Sequence, residues 1–495
     1  MRLFKKKSPL LFYFCFFLLY RTILWTLLPW LNQPTPPIDV VEGFVWGEQW
    51  QWGYDKHPPL APWLTYLTGF FTPISLCPTY FLSSLSVAAT YAYVWRFLSR
   101  FTVAAGPLIF LSILCLDCVY YYTHTAMVFN PNTIILPLWA AAIYYGANAL
   151  TYQRSKDWVI VGLLCGLGML AKYFFAMLII PMALLIMCAY KQSFRAKGAY
   201  VGLVCFIALL LPHVVWLWKH DFSCIAYGCD KVVDQSSFWW QRITFPLTFG
   251  GYQVLALLPC LFLAFLGKRS KTFDSFSSIA KHKYLFYGLT IGPFALVLTI
   301  SFVFKLSMYP TWGMTLLLYI PFIILSLVKR LVCFDVPCKK LAGVGCVIVT
   351  LQAVMYMGFR YTYPHRVSNT YFPAQSIADD LTDQWRQTYD QPLPYLLGVR
   401  SLSGALSLAS KDRPVAVYDA SLTSSPWVKW PNLKEKGALV VWVGDPPGFL
   451  SEIPHAIWPA SVYWGYGPLK QKHYVVQAAV IAPNTLLDKY QKIFK

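Results

Sequence analysis

Eleven stretches within residues 1–360 are too long and too apolar to be kept in water. They lie at about 9–30, 74–96, 102–122, 132–150, 158–171, 173–190, 199–218, 251–267, 284–304, 310–328 and 341–359. Most approach the roughly 20 residues that a helix needs to cross the hydrocarbon core of a bilayer. No soluble core could hide them: 57% of the 495 residues are apolar and 13% are charged, where soluble domains carry roughly 25% charged residues. The composition excludes a disordered chain and a soluble enzyme. It predicts a polytopic α-helical membrane protein with about 11 transmembrane helices. The first stretch follows Arg2, Lys5, Lys6 and Lys7 and no small-residue cleavage site follows it, so it reads as a retained helix rather than a signal peptide.

The net charge of +20 is distributed by side. Loops at 2–7, 96–100, 154–157, 191–197, 268–283 and 329–340 hold 20 Lys and Arg against three acids, while the rest of residues 1–360 balances at eight and eight. The positive-inside rule makes the basic loops and the N-terminus cytoplasmic, and an odd number of spans puts residues 361–495 outside. The charge therefore records orientation and calls for no nucleic acid. Residues 158–190 are short for two crossings, and the tip of that hairpin carries Lys172. A cation at such depth is costly and predicts a partner. Arg21, inside the first span, either snorkels or pairs with a carboxylate.

Residues 361–495 lose the long apolar runs. Strands are expected at 395–399, 414–418, 438–443 and 474–482, with helices at 371–387, 401–410 and 431–436. That alternation predicts a small α/β domain with a mostly parallel sheet. It serves either as a scaffold or as a cap that helps to hold an acceptor. Residues 1–360 form the membrane domain, with a first outer loop at 31–73. Among the 13 cysteines, Cys333 and Cys338 form a single CxxxxC pair, which does not by itself make a metal site, and Cys224 and Cys229 lie in an outer loop where a disulfide is allowed.

The first loop concentrates the polar chemistry. Its segment 37–60, PIDVVEGFVWGEQWQWGYDKHPPL, holds four of the eleven acids of residues 1–360. Part of it has a plain structural reading: Asp39 and Glu42 as a capping box after two prolines, and Trp46, Trp50 and Trp52 as an interfacial belt. That reading leaves unexplained why Asp55, Lys56 and His57 gather beside a membrane. Carboxylates there can act as a general base or bind a divalent cation, and Lys and His can hold a phosphate.

These residues carry a resemblance. The first span, the Asp39-x-x-Glu42 segment and the block WGYDKHPPLAPWL at 52–64 resemble the bacterial membrane glycosyltransferases of the GT-C fold. The nearest branch is that of the lipid A aminoarabinose transferase and the rhizobial galacturonic acid transferases, with protein O-mannosyltransferases more distant. GLGMLAKY at 166–173, PHVVWLWKHD at 212–221, the loop from Lys305 to Trp312 and residues 425–442 are similar too. The resemblance implies a bacterial inner membrane with residues 361–495 in the periplasm, and a sugar donor on a polyprenyl phosphate such as undecaprenyl phosphate. It implies a periplasmic acceptor, with lipid A or the lipopolysaccharide core first and protein or another envelope glycan second.

It also implies roles for particular residues. Asp39, with Glu42, is the catalytic acid pair and Asp39 the base. Lys56, His57 and Lys172 approach the donor phosphate, and Arg242 is a further candidate whose plainer reading is interfacial anchoring. Glu48, Asp117 and His124 are expected at the substrate cavity. A divalent metal ion is a further expectation, with Asp55, His57 and His220 as ligands. Two departures stand out. The aminoarabinose transferase has Glu-Lys before its Pro-Pro where this chain has Lys56-His57, with Asp55 one place earlier, and it has adjacent acids where Asp39 and Glu42 are spaced. The rival readings are a lipid or sugar transporter, which would favour internal repeats and polar residues near the midplane, and a non-catalytic membrane scaffold.

Overall fold

The computed structural model describes all residues except 1–8, 34, 71–75, 234–237, 267–281, 328–336, 363–370, 467–470 and 495. The basic clusters at 2–7, 268–281 and 329–330, and Cys333, lie outside the described residues.

Each of the eleven apolar stretches contains helix. Pro9–Asn32, Pro131–Tyr152, Lys197–Lys219 and Cys338–Phe359 are each long and apolar enough to cross a membrane alone. Two bent pairs bring that number to six: Gly106–Asp117 with Tyr120–Met127, bent by 79°, and Lys283–Thr290 with Gly292–Phe304, bent by 47°. The remaining stretches hold Cys77–Phe101, Ser155–Ala171, Ala176–Cys188, Gln241–Ala256 with Leu258–Leu266, and Ile320–Leu327. The short hairpin is two helices, Ser155–Ala171 and Ala176–Cys188, separated by Lys172 and a single 3-10 turn. Lys172 ends the first of them in extended backbone.

Close helix packing in the bundle rests on glycine. A Cβ on Gly162 would stand 1.9 Å from the carbonyl oxygen of Gly202, and one on Gly202 would stand 2.4 Å from that of Trp158. With no side chains there, Ser155–Ala171 and Lys197–Lys219 approach backbone to backbone, the small-residue solution common between membrane helices.

The chain divides into two compact units. The first is residues 1–28, 56–60 and 80–354; the second is 29–55, 61–79 and 355–495. Most of the first loop therefore belongs with the C-terminal α/β domain rather than with the helices that flank it in sequence.

Among the described residues that domain is built on five strands: β1 (Tyr395–Gly398), β2 (Val415–Tyr418), β3 (Ala438–Trp442), β4 (Ala456–Tyr466) and β5 (Gln471–Ile481). Their order is β2-β1-β3-β5-β4. Strand alternation buries both faces. Leu396, Leu439 and Val441 face the helices Ala374–Tyr389 and Arg400–Ala409, and Leu397, Val440 and Trp442 pack with Trp430, Leu433 and Phe494. β1 runs parallel to β2 and β3, whereas β5 is antiparallel to β3 and β4. The expected mostly parallel sheet is thus corrected to a mixed one, through β4, which the sequence pattern does not place. β4 carries Pro459 and an irregular register between Trp458 and Ser461. Proline and bulges are features of edge strands, and they mask the two-residue period that would reveal one.

No disulfide joins Cys224 and Cys229. They lie five residues apart in the helix Ser223–Val232, a spacing that points side chains to different faces.

Candidate active site

Two prolines start the helix Ile38–Glu48. Pro37 is its N-cap, and no side chain caps it. Asp39 is therefore already in the first turn, too late to be the cap. The expected capping box does not form. Negative charge in a first turn still complements the helix dipole. Gly43 and Gly47 let this helix lie close to Leu60–Thr68, since a Cβ on Gly47 would stand 2.4 Å from the carbonyl oxygen of Pro62.

Trp46 is not part of an interfacial belt. It is 2% exposed and stacks on Tyr54 with ring centroids 5.3 Å apart. The Tyr54 hydroxyl donates to the Trp46 carbonyl at 2.6 Å. Val41, Val45, Trp46 and Tyr54 pack with Ala416 and Tyr418 of β2 as one apolar cluster. Trp50 and Trp52, by contrast, are exposed.

Within the same helix, Glu42 is 4% exposed. A carboxylate at that depth needs a cation or several donors. Arg400 supplies the cation. It is the first residue of the helix Arg400–Ala409, two places after β1; Tyr418 ends β2 and Asp419 follows it. Gly398 and Tyr418 are register partners, so the carboxyl ends of two parallel strands deliver Arg400 and Asp419 side by side, the usual place for functional groups in such sheets. Arg400 Nε donates to Asp419 Oδ2 at 2.8 Å, Nη2 donates to Asp55 Oδ2, and Nη1 lies 3.9 Å from Glu42 Oε1. The guanidinium also lies over the Tyr418 ring, 5.4 Å from its centroid.

One guanidinium thus serves three carboxylates. Burial alone would lower its pKa, but Asp55 and Asp419 outweigh that and raise it. Burial, with Glu42 close by, pushes the Tyr418 hydroxyl well above the usual phenol range. Arg400 Nη1, Asp55 Oδ1 and the Tyr418 hydroxyl are buried without a hydrogen-bond partner. Neither Arg400 nor Asp419 stands out in the sequence. The contact to Asp55 spans 345 residues, and no local pattern announces it.

Glu48, at the far end of the helix, lines a cavity of about 780 Å³ together with Phe44, Tyr66, Phe372, Gln375 and Arg413. Desolvation at the wall outweighs the nearby Arg413 and lifts the Glu48 carboxyl above its ordinary range, although much of its surface still meets solvent.

The remaining expected residues lie in the membrane bundle. Lys172 has the partner that its depth demands: Nζ donates to Asn132 Oδ1 and lies 4.6 Å from the centre of the Trp312 ring. Asn132 is in the first turn of Pro131–Tyr152, which Asn130 caps by accepting from the Asn132 and Thr133 amides at 2.9 and 3.1 Å. An ammonium beside a helix N-terminus leaves local positive charge that suits an anion. Asn132 and Trp312 are further residues to which sequence reasoning gives no role, although Trp312 closes a loop that it marks.

Asp117 is taken up elsewhere. Arg21 Nε donates to Asp117 Oδ1 at 2.5 Å, the Tyr91 hydroxyl donates to the same oxygen at 2.9 Å, and both charged side chains are 1% exposed. Arg21 therefore pairs with a carboxylate, and Asp117 is a closed ion pair rather than a cavity wall. His124 sits edge-on to Trp25, His57 edge-on to Tyr227. Arg242 Nη1 donates to the carbonyl of Val303 at 2.7 Å, which ties two helices together. His220 stacks on Trp216 and its Nδ1 donates to the Trp216 carbonyl at 2.8 Å. Among the described residues no three His, Cys, Asp or Glu side chains converge as metal ligands do.

Residues 56–216 match the family described as dolichyl-phosphate-mannose-protein mannosyltransferase. Lys56, His57, Asp117, His124 and Lys172 fall inside that match, and Asp39, Glu42 and Arg400 outside it. The chain is 30% identical over 189 residues to the lipopolysaccharide core galacturonosyltransferase RgtB of Rhizobium johnstonii, covering 35% of this chain and 36% of that protein. It is 27% identical over 271 residues to undecaprenyl phosphate-alpha-4-amino-4-deoxy-L-arabinose arabinosyl transferase 1 of Sodalis glossinidius, covering 48% and 46%. The matches thus span between a third and a half of these relatives. The crystal structure of ArnT from Cupriavidus metallidurans bound to undecaprenyl phosphate shares the fold with a TM-score of 0.59 at 14% identity, over 94% of this chain and 97% of that one. Its apo form gives 0.58.

Proposed function

We propose that this chain, a multi-pass membrane protein with the GT-C glycosyltransferase fold, moves a sugar from a polyprenyl phosphate carrier to an envelope acceptor of the lipid A or lipopolysaccharide core class. The observation that carries the reading is Lys172, an ammonium held by Asn132 at the N-terminus of Pro131–Tyr152. In a bundle with this fold, that is a cradle for the phosphate of a lipid carrier. The names of the relatives supply the carrier and the acceptor class.

The chemistry follows. The acceptor oxygen attacks the anomeric carbon as the bond from that carbon to the phosphate oxygen breaks. Asp39 takes the acceptor proton, and the electron pair leaves with the polyprenyl phosphate as a dianion. Lys172, with Lys56 and His57, stabilises that charge as it develops. Attack opposite the leaving group inverts the anomeric centre.

A specific observation supports a second acceptor class: the matching family is described by transfer to protein. Mass spectrometry of lipid A and of envelope proteins, from cells with and without this chain, separates the two. Loss of one sugar mass from lipid A is expected, and the same loss on a protein would move the acceptor. In a transfer assay with purified protein, Asp39→Asn should abolish turnover while the protein still inserts and folds. Retained turnover would remove Asp39 as the base. Substrate-dependent flux in vesicles without transfer would replace the enzyme reading with a transporter.

A further inference from the structure

We propose that Arg400 is a positioning residue for the reaction: from the C-terminal domain, it fixes the first loop so that Asp39 is presented in one geometry. This rests on the assignment of Asp39 as the base.

Arg400 grips the loop at two places that are far apart along it. Glu42 lies about one helical turn beyond Asp39, and Asp55 lies where the loop turns toward the Pro-Pro segment. The third ligand, Asp419, comes from the domain itself and orients the guanidinium through Nε. The Tyr418 ring beneath it fixes the plane. A planar fork with five donors can hold three carboxylates at once, and an ammonium cannot match that geometry. Side-chain exposure is 15% for Arg400, 13% for Asp55 and 5% for Glu42, while Asp419 is 47% exposed. The loop-side contacts are thus the shielded ones. Without Arg400, Glu42 and Asp55 would lose the guanidinium that both carboxylates meet, and the stretch that joins them would lose the tie that spans it. A general base that shifts by about 1 Å can lose on the order of 100-fold in rate. The apolar contacts of Val41, Trp46 and Tyr54 hold the loop on the domain, so Arg400 sets its position rather than its attachment.

The test uses full-length protein in lipid nanodiscs with two readouts, steady-state transfer and amide hydrogen exchange. Arg400→Met should lower kcat by about 100-fold with donor KM changed by less than about threefold. Exchange across residues 38–55 should rise by about tenfold or more. Arg400→Lys restores the charge but not the fork, and should recover only part of both. Arg386→Met breaks the Arg386–Asp412 pair elsewhere in the same domain and should leave both readouts as in the wild type. Unchanged exchange of 38–55 in Arg400→Met overturns the proposal, as does full recovery by Arg400→Lys. A rise in KM with unchanged kcat also overturns it, because it marks binding rather than positioning. If the wild-type protein itself transfers no sugar, the glycosyltransferase reading fails. The exchange readout then still decides whether Arg400 holds the loop.

Discussion

Arg21 and Arg400 are both shielded beside carboxylates, and only Arg21 is legible in the sequence. Arg21 stands inside an apolar span, where the cost of a bare cation demands a partner, and Asp117 is among the few acids at hand. Arg400 stands in an amphipathic helix of an α/β domain, where an arginine draws no notice. Its partners Glu42 and Asp55 are brought to it by the parallel pairing of β1 and β2 and the seating of the loop on the domain. For the same reason Asp55 invites a metal reading: the charge that satisfies it is 345 residues away. The Arg21 pair makes its own prediction. Asp117→Ala leaves a fully buried guanidinium without its carboxylate, which costs about 3–5 kcal/mol. The unfolding temperature in detergent should fall accordingly. The double variant Asp117→Ala with Arg21→Met should regain most of the loss, and if it does not, the pair is not what the wild type relies on.

At the scale of elements, long apolar runs are legible because lipid imposes them on the sequence directly, and among the described residues four helices, or six with the two bent pairs, are long and apolar enough to cross a membrane. The shortness of 158–190 is legible as a deficit of residues, and the structure meets it with two short helices and a 3-10 turn after Lys172. How the first of these helices packs is not legible, because glycine signals permission and not a partner. The Gly162–Gly202 approach is the instance. Gly162→Val would drive a branched side chain into a backbone carbonyl now 1.9 Å from the ideal Cβ position. Separating the two helices should cost about 1–3 kcal/mol, read as a lower unfolding temperature. The neighbouring Leu163 is exposed and serves as the control: Leu163→Val should leave the unfolding temperature within experimental error. β4 shows the opposite failure. Its pattern is interrupted by Pro459, and only its pairing with β5 reveals it as a strand.

At the scale of the whole molecule, the sequence suggests one boundary near residue 360 and places the first loop with the membrane helices. The compact units cut the chain differently and assign residues 29–55 and 61–79 to the unit that holds the α/β domain. Linear order cannot show this, because the contacts that decide it are between segments more than 300 residues apart. The orientation of the chain is read from basic loops, several of which lie outside the described residues. It can be approached from another feature. No disulfide forms among the described residues, and Cys229 is exposed on the helix Ser223–Val232. The chain therefore carries a native chemical reporter of sidedness. A membrane-impermeant maleimide added to intact spheroplasts should label wild-type protein and fail to label Cys229→Ser. Labelling of Cys229 only after the membrane is broken would turn the whole topology over, without a tag, a fusion or an engineered site.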